Sequence, residues 1–117
     1  MKIIHRITFL VCIMFPSLAT MSGESDSYRV DRYVQQNEQA ILERFGKPNS
    51  IVTLPAKELV DAVRAPIRKK HFAFRPNVQV RELYYNTRKG ETIFWLTEKS
   101  GKWVVVADIW IAPGVQF

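Results

Sequence analysis

The sequence predicts an α+β domain in which an N-terminal helix and a shorter second helix pack on a three- to four-stranded antiparallel β-meander. Three observations carry that prediction. All three tryptophans fall in the last third, residues 81–111, among β-branched residues interrupted by two glycine-bearing breaks, the pattern of a meander. Residues 30–45 repeat apolar side chains at helical spacing. Gly46, Pro48, Pro55 and Pro66 punctuate what lies between.

The order begins with a segment that is not part of the domain. Lys2 and Arg6 precede an apolar run from Ile7 to Phe15, and Ser17-Leu18-Ala19 offers small residues for cleavage, so residues 1–19 read as a cleaved export signal. The apolar run is far short of the about 20 helical residues that cross a membrane. Cys12 is the only cysteine and lies inside that run, behind bulky Phe9, Leu10 and Val11, which argues against a lipid-modified cysteine. A mature chain without thiol, disulfide or glycosylation sequon fits a bacterial periplasm. Residues 20–27 are small and polar and read as a flexible leader, leaving residues 28–117 as one α+β domain.

In residues 30–45, Val30, Tyr33, Val34, Asn37, Ala40, Ile41 and Phe45 line one helical face. Asp26 or Ser27 would cap the helix, Gly46 would end it, and Pro48 would bar its resumption. Residues 51–54 form a short β-like run. Pro55 is then suited to open a second helix over 56–65, with Leu59, Val60 and Val63 apolar and Pro66 closing it. Residues 67–77 fit either a loop or an irregular edge strand. Strands follow from residue 78 onward, joined by loops over 86–90 and 98–102.

With loops of that length, Leu83, Tyr85, Ile93, Trp95, Val105, Ala107 and Ile109 share one sheet face. Val80, Tyr84, Phe94, Leu96, Val104, Val106 and Trp110 take the other. A sheet apolar on both sides needs cover on both sides. The 30–45 helix can supply one layer, and the 56–65 helix, the Phe72/Phe74 segment or a partner the other.

Catalytic chemistry is poorly supplied. Beyond the signal there is no cysteine, one histidine (His71), no nucleophile elbow, no glycine-rich phosphate loop and no zinc-ligand spacing, so the chain reads as non-enzymatic with no cofactor and no metal. Glu82 and Asp108 would be paired carboxylates if they shared a sheet face; the plainer role for Asp108 is to hold register or bond a loop.

Charge is more informative. The formal net charge is +6, and residues 64–81 hold Arg64, Arg68, Lys69, Lys70, Arg75 and Arg81 with no acidic residue. Arg68, Lys69, Lys70 and Arg75, interleaved with Phe72, are therefore the candidate binding residues, suited to an anionic surface. In an envelope that surface is anionic lipid, lipopolysaccharide or an acidic protein, whereas nucleic acid is disfavoured by compartment. Trp95, opposite Arg81, is suited to a cation–π pair, yet belongs more naturally to the core. Trp110 is a further candidate contact.

Residues 44–48 (Arg-Phe-Gly-Lys-Pro), Tyr84-Tyr85, Phe94-Trp95 and the run Gly101-Lys102-Trp103-Val104-Val105 resemble the small SmpA/OmlA-type (BamE-like) outer-membrane assembly proteins over residues 37–110. The resemblance implies a helix ending in a tight glycine turn before a three-stranded sheet, in a non-enzymatic accessory or ligand-binding module. This chain departs from the family in lacking a lipobox and in carrying residues 51–77 between helix and meander. Three functions follow as expectations. The first is a periplasmic binding protein acting through its basic segment. The second is an inhibitor or scaffold docking through an exposed sheet face near Trp110. The third is a nuclear-transport-factor-like pocket domain built around Asp108 or His71.

Overall fold

The computed structural model describes residues 27–115; the predicted export signal and most of the leader lie outside the described residues. The element order is β1 (Tyr28–Val30), α1 (Glu38–Phe45), β2 (Ser50–Pro55), a 3-10 turn (Ala56–Glu58), α2 (Ala65–His71), β3 (Gln79–Thr87), β4 (Gly90–Lys99) and β5 (Lys102–Ile111). The α+β class and the antiparallel sheet are as predicted. The sheet, however, has five strands in the order β1-β5-β4-β3-β2, not three or four. The β-like run expected at 51–54 is edge strand β2, paired with β3, and the strand not foreseen is β1, which pairs the end of β5.

The helix predicted over 30–45 is cut to its second half. Asp31 and Gln35 have φ of 55° and 80°, which no helix admits. Long-range hydrogen bonds hold them there. Asp31 N–H donates to the Asp108 carbonyl, Gln35 N–H to the Val105 carbonyl, and Val105 N–H returns to the Gln36 carbonyl. Residues 31–37 thus run beside β5 instead of coiling. α1 starts where Asn37, counted above in the apolar stripe, accepts a hydrogen bond from Ala40 N–H at 2.9 Å as N-cap. It ends at Gly46, φ 79°, as expected.

The second helix is also displaced. Residues 56–58 make only a 3-10 turn, and α2 begins at Ala65. Asp61 explains the shift: its Oδ1 accepts from the backbone N–H groups of Val63 and Arg64, gathering a turn that α2 continues. Pro66 then occupies the first turn, where its missing N–H costs nothing, and opens the helix it was expected to close. Residues 67–71, whose pattern fits either a loop or an edge strand, are helical.

Both hairpins close on two residues. Thr87 pairs Gly90, and Lys99 pairs Lys102 across Ser100 and Gly101, whose φ values of 51° and 80° make a type I′ turn. Gly90 is obligatory, because a Cβ there would lie 2.3 Å from the Ile111 carbonyl oxygen. The tighter first hairpin moves β3 by one residue against the register expected from a five-residue loop, and so exchanges its faces. Val80 and Tyr84 pack with Ile93, Trp95, Ala107 and Ile109; Leu83 and Tyr85 pack with Phe94 and Leu96. A bulge at Trp95/Leu96 carries Val105 to the second face and Val106 to the first.

Both faces are covered by the chain itself. Ala56, Leu59 and Phe72, with Val63 and Ile67, close over Val80, Ile93 and Trp95. Ile41, Phe45 and Tyr33 close over Leu83, Phe94 and Val105, with Tyr33, Phe45, Tyr85 and Phe94 in edge and tilted contacts at 5.2–5.8 Å.

Candidate functional site

The cations of the basic segment divide into those that build the fold and those that remain outside it. Arg64 grips Glu82 with two hydrogen bonds of 2.6 Å, from Nε to Oε1 and from Nη2 to Oε2, and also pairs with Asp61. The hydrogen bond to Glu82 holds the guanidinium well above its ordinary pKa, against the opposing effect of burial. Arg81 pairs with Glu38 at 2.7 Å and lies over Trp103 at 4.2 Å, not over Trp95, because β3 pairs Glu82 with Trp95. Arg68 donates Nε to the Leu59 carbonyl at 2.9 Å. These three arginines are structural.

Lys69, Lys70 and Arg75 are exposed. Lys69 makes no ion pair among the described residues, and Lys70 reaches Asp31 only at 3.8 Å, beyond hydrogen-bond distance. Arg75 donates Nη2 to the His71 carbonyl and sits 5.6 Å over the Phe72 ring, which keeps the turn after α2 closed.

The two phenylalanines separate completely. Phe72 is 1% exposed and belongs to the core, whereas Phe74, two residues on, is 97% exposed in the 73–77 turn. The contact residue expected from the sequence was Phe72; the structure buries Phe72 and exposes Phe74 instead. The end of α2 and the turn after it thus carry exposed Lys69, Lys70 and Arg75 in the same short stretch of chain as the bare Phe74 ring.

Trp110 does not join this patch. It lies across the sheet, on the α1 side, with Arg29 stacked at 4.6 Å and its Nε1 donating to the Lys89 carbonyl at 3.1 Å. Glu82 and Asp108 do not form a pair either: Glu82 lies opposite Trp95 on the α2 side, and Asp108 opposite Phe94 on the α1 side. Asp108 plays the plainer role, its two oxygens accepting from the Arg32 and Tyr33 backbone N–H groups at 2.9 Å each. Burial pushes its carboxyl above the ordinary value, with those N–H groups opposing.

Two hollows lie on the α2 side of the sheet, one by the 61–64 turn that precedes α2 and one against α2 itself. One, of about 460 Å3, contains Arg64, Tyr84 and Glu91, but its polar groups satisfy each other: Tyr84 Oη donates to Glu91 at 2.7 Å, and Arg64 is taken as described. The other, of about 440 Å3, is apolar and lies between α2 and the β1–β5 end of the sheet, with Lys70 and His71 at its edge. Burial, with help from Lys70, lowers the His71 pKa. His71 Nε2 is buried without a hydrogen-bond partner. No group of three or more metal-ligating side chains occurs among the described residues, and no helix among them is long and apolar enough to cross a membrane.

No protein-family model, curated protein or solved structure matches the chain.

Proposed function

We propose that this chain is a small exported, periplasmic binding module without catalytic chemistry. It contacts an anionic lipid or lipopolysaccharide surface through Lys69, Lys70, Phe74 and Arg75. The observation that carries this reading is the fully exposed Phe74 in the same short stretch of chain as the exposed cations Lys69, Lys70 and Arg75. A bare ring in a turn costs solubility and adds nothing to the core, but it is suited to entering a headgroup layer while the cations meet phosphates. The resemblance of residues 37–110 to SmpA/OmlA-type envelope proteins points to the same compartment.

The expected strength is modest. Each cation near an anionic leaflet contributes about 1 kcal/mol, and burying the ring about 2 kcal/mol. The sum of about 5 kcal/mol corresponds to a dissociation constant on the order of 0.1 mM. Such a contact is reversible and sensitive to salt.

The test is sedimentation with phosphatidylglycerol-containing vesicles. Phe74→Ser removes only exposed surface and should weaken binding about 30-fold at unchanged stability. Lys69→Glu should weaken it at least tenfold. Neutral vesicles should retain little protein. Equal sedimentation of all three proteins would refute the proposal.

A second reading, docking of a partner protein's strand, is favoured by the β2 edge. Ser50–Pro55 carries no charged residue, and Ile51 and Val52 are exposed, so only the terminal Pro55 protects this edge from pairing. The covered sheet faces make the edge, not the region of Trp110, the place for such docking.

A further inference from the structure

The apolar hollow beside α2 is not needed by the surface contact, and its chemistry is specific. Its wall is aliphatic, with Val30, Val63, Ile67 and Ile109 among the lining and the Trp95 ring against it. Its volume of about 440 Å3 falls within the range of about 300–1,000 Å3 usual for small-molecule sites. The polar groups at the edge are unequal. Asp108 is occupied by two backbone N–H groups, and Asp31 Oδ1 accepts from the Asp108 backbone N–H. Asp108 is thus engaged within the fold, while the second oxygen of Asp31, Oδ2, faces the Lys70 ammonium.

Lys70 is the group left with unused capacity. Its side chain is 69% exposed, and its nearest carboxylate oxygen is 3.8 Å away, too far for a hydrogen bond. The neighbouring His71 holds a buried, unpartnered ring nitrogen, an unusual omission in a folded chain. An aliphatic cleft with an ammonium at its mouth is complementary to a molecule with an apolar tail and an anionic head.

We infer that this cleft binds a single-chain anionic amphiphile, with the acyl chain along Val63, Ile67 and Ile109 and the carboxylate or phosphate head at Lys70. The two sites share Lys70 but not their apolar parts: Val63, Ile67 and Ile109 line the cleft, and Phe74 does not.

The test is titration of the full domain with octanoate, decanoate and dodecanoate below their aggregation concentrations, by calorimetry and by Trp fluorescence. Affinity should rise about fourfold per added methylene until the cleft is full. Decanol should bind less tightly than decanoate, and Lys70→Gln should abolish that difference by weakening decanoate about tenfold. Ile67→Trp, which fills the cleft, should abolish binding of both while vesicle sedimentation stays unchanged. Ala62→Leu at the cleft wall gives the same readout should Trp at 67 disturb α2. Absence of saturable binding by the wild type, or undiminished binding in both filled variants, would overturn the assignment. Equal binding of acid and alcohol by the wild type would overturn the role of Lys70. Vesicle sedimentation is read separately, so failure of the cleft and failure of the surface contact are distinguishable.

Discussion

Glu82→Ala should lower stability by about 2–4 kcal/mol, one of the two largest losses expected for a single substitution outside the aliphatic core. Glu82 is 6% exposed and holds three hydrogen bonds: two from Arg64 at 2.6 Å and one from the Trp95 indole N–H at 2.8 Å. Alanine leaves the indole N–H unpaired in the core and the guanidinium without its main partner. Breaking a fully buried pair costs about 3–5 kcal/mol. The lower range applies because the Arg64 side chain is 28% exposed and keeps Asp61. Glu82→Gln retains an acceptor for the indole and should lose about half as much. Urea unfolding followed by Trp fluorescence measures both; a loss below 1 kcal/mol for alanine would show that Arg64 and Trp95 find other partners.

Asp108→Ala should cost a comparable amount, about 2–4 kcal/mol, by a different route. Two backbone N–H groups, those of Arg32 and Tyr33, lose their acceptors together, and residues 31–37 lose the tie that holds them along β5. The effect should be local as well as global. Amide exchange at 31–37 should accelerate before the β3–β4 hairpin opens. Asp108 does not stabilise by being charged. Its raised pKa means that the folded chain binds the proton more tightly than the unfolded chain. Its titration therefore favours folding below pH 3.8, and that contribution is lost as pH rises through the raised value. Asp108→Asn, which keeps one acceptor, should recover part of the stability at neutral pH. Unchanged exchange at 31–37 in Asp108→Ala would refute this role.

These two carboxylates also show how far the sequence was legible. The meander was readable because glycine turns and β-branched runs are local signals, and because apolarity on both faces demanded two covering layers. Its face assignment was not, since one residue of hairpin length exchanges every β3 side chain and a bulge at Trp95/Leu96 adds a second shift. The pattern of residues 30–45 is helical, but hydrogen bonds from β5 and Asp108 outcompete it up to Asn37, and those partners lie some 70 residues away in sequence. Pro66 was ambiguous in kind: a proline ends one helix and opens the next with the same ring, and only Asp61 decides. In the candidate site, the basic segment was evident from charge alone. Which cations are free was not, because Arg64, Arg68 and Arg81 are consumed by partners on β3, α1 and the 3-10 turn region. Phe72 and Phe74 differ only in tertiary placement.

The surface contact is tested most directly by its footprint. Amide exchange should be measured on the wild-type domain with and without phosphatidylglycerol vesicles at low salt. Protection should appear over residues 69–77 and vanish at high salt, with β2 unchanged. Protection confined to residues 50–55, or none in the turn that carries Phe74, would contradict the proposed mode of binding.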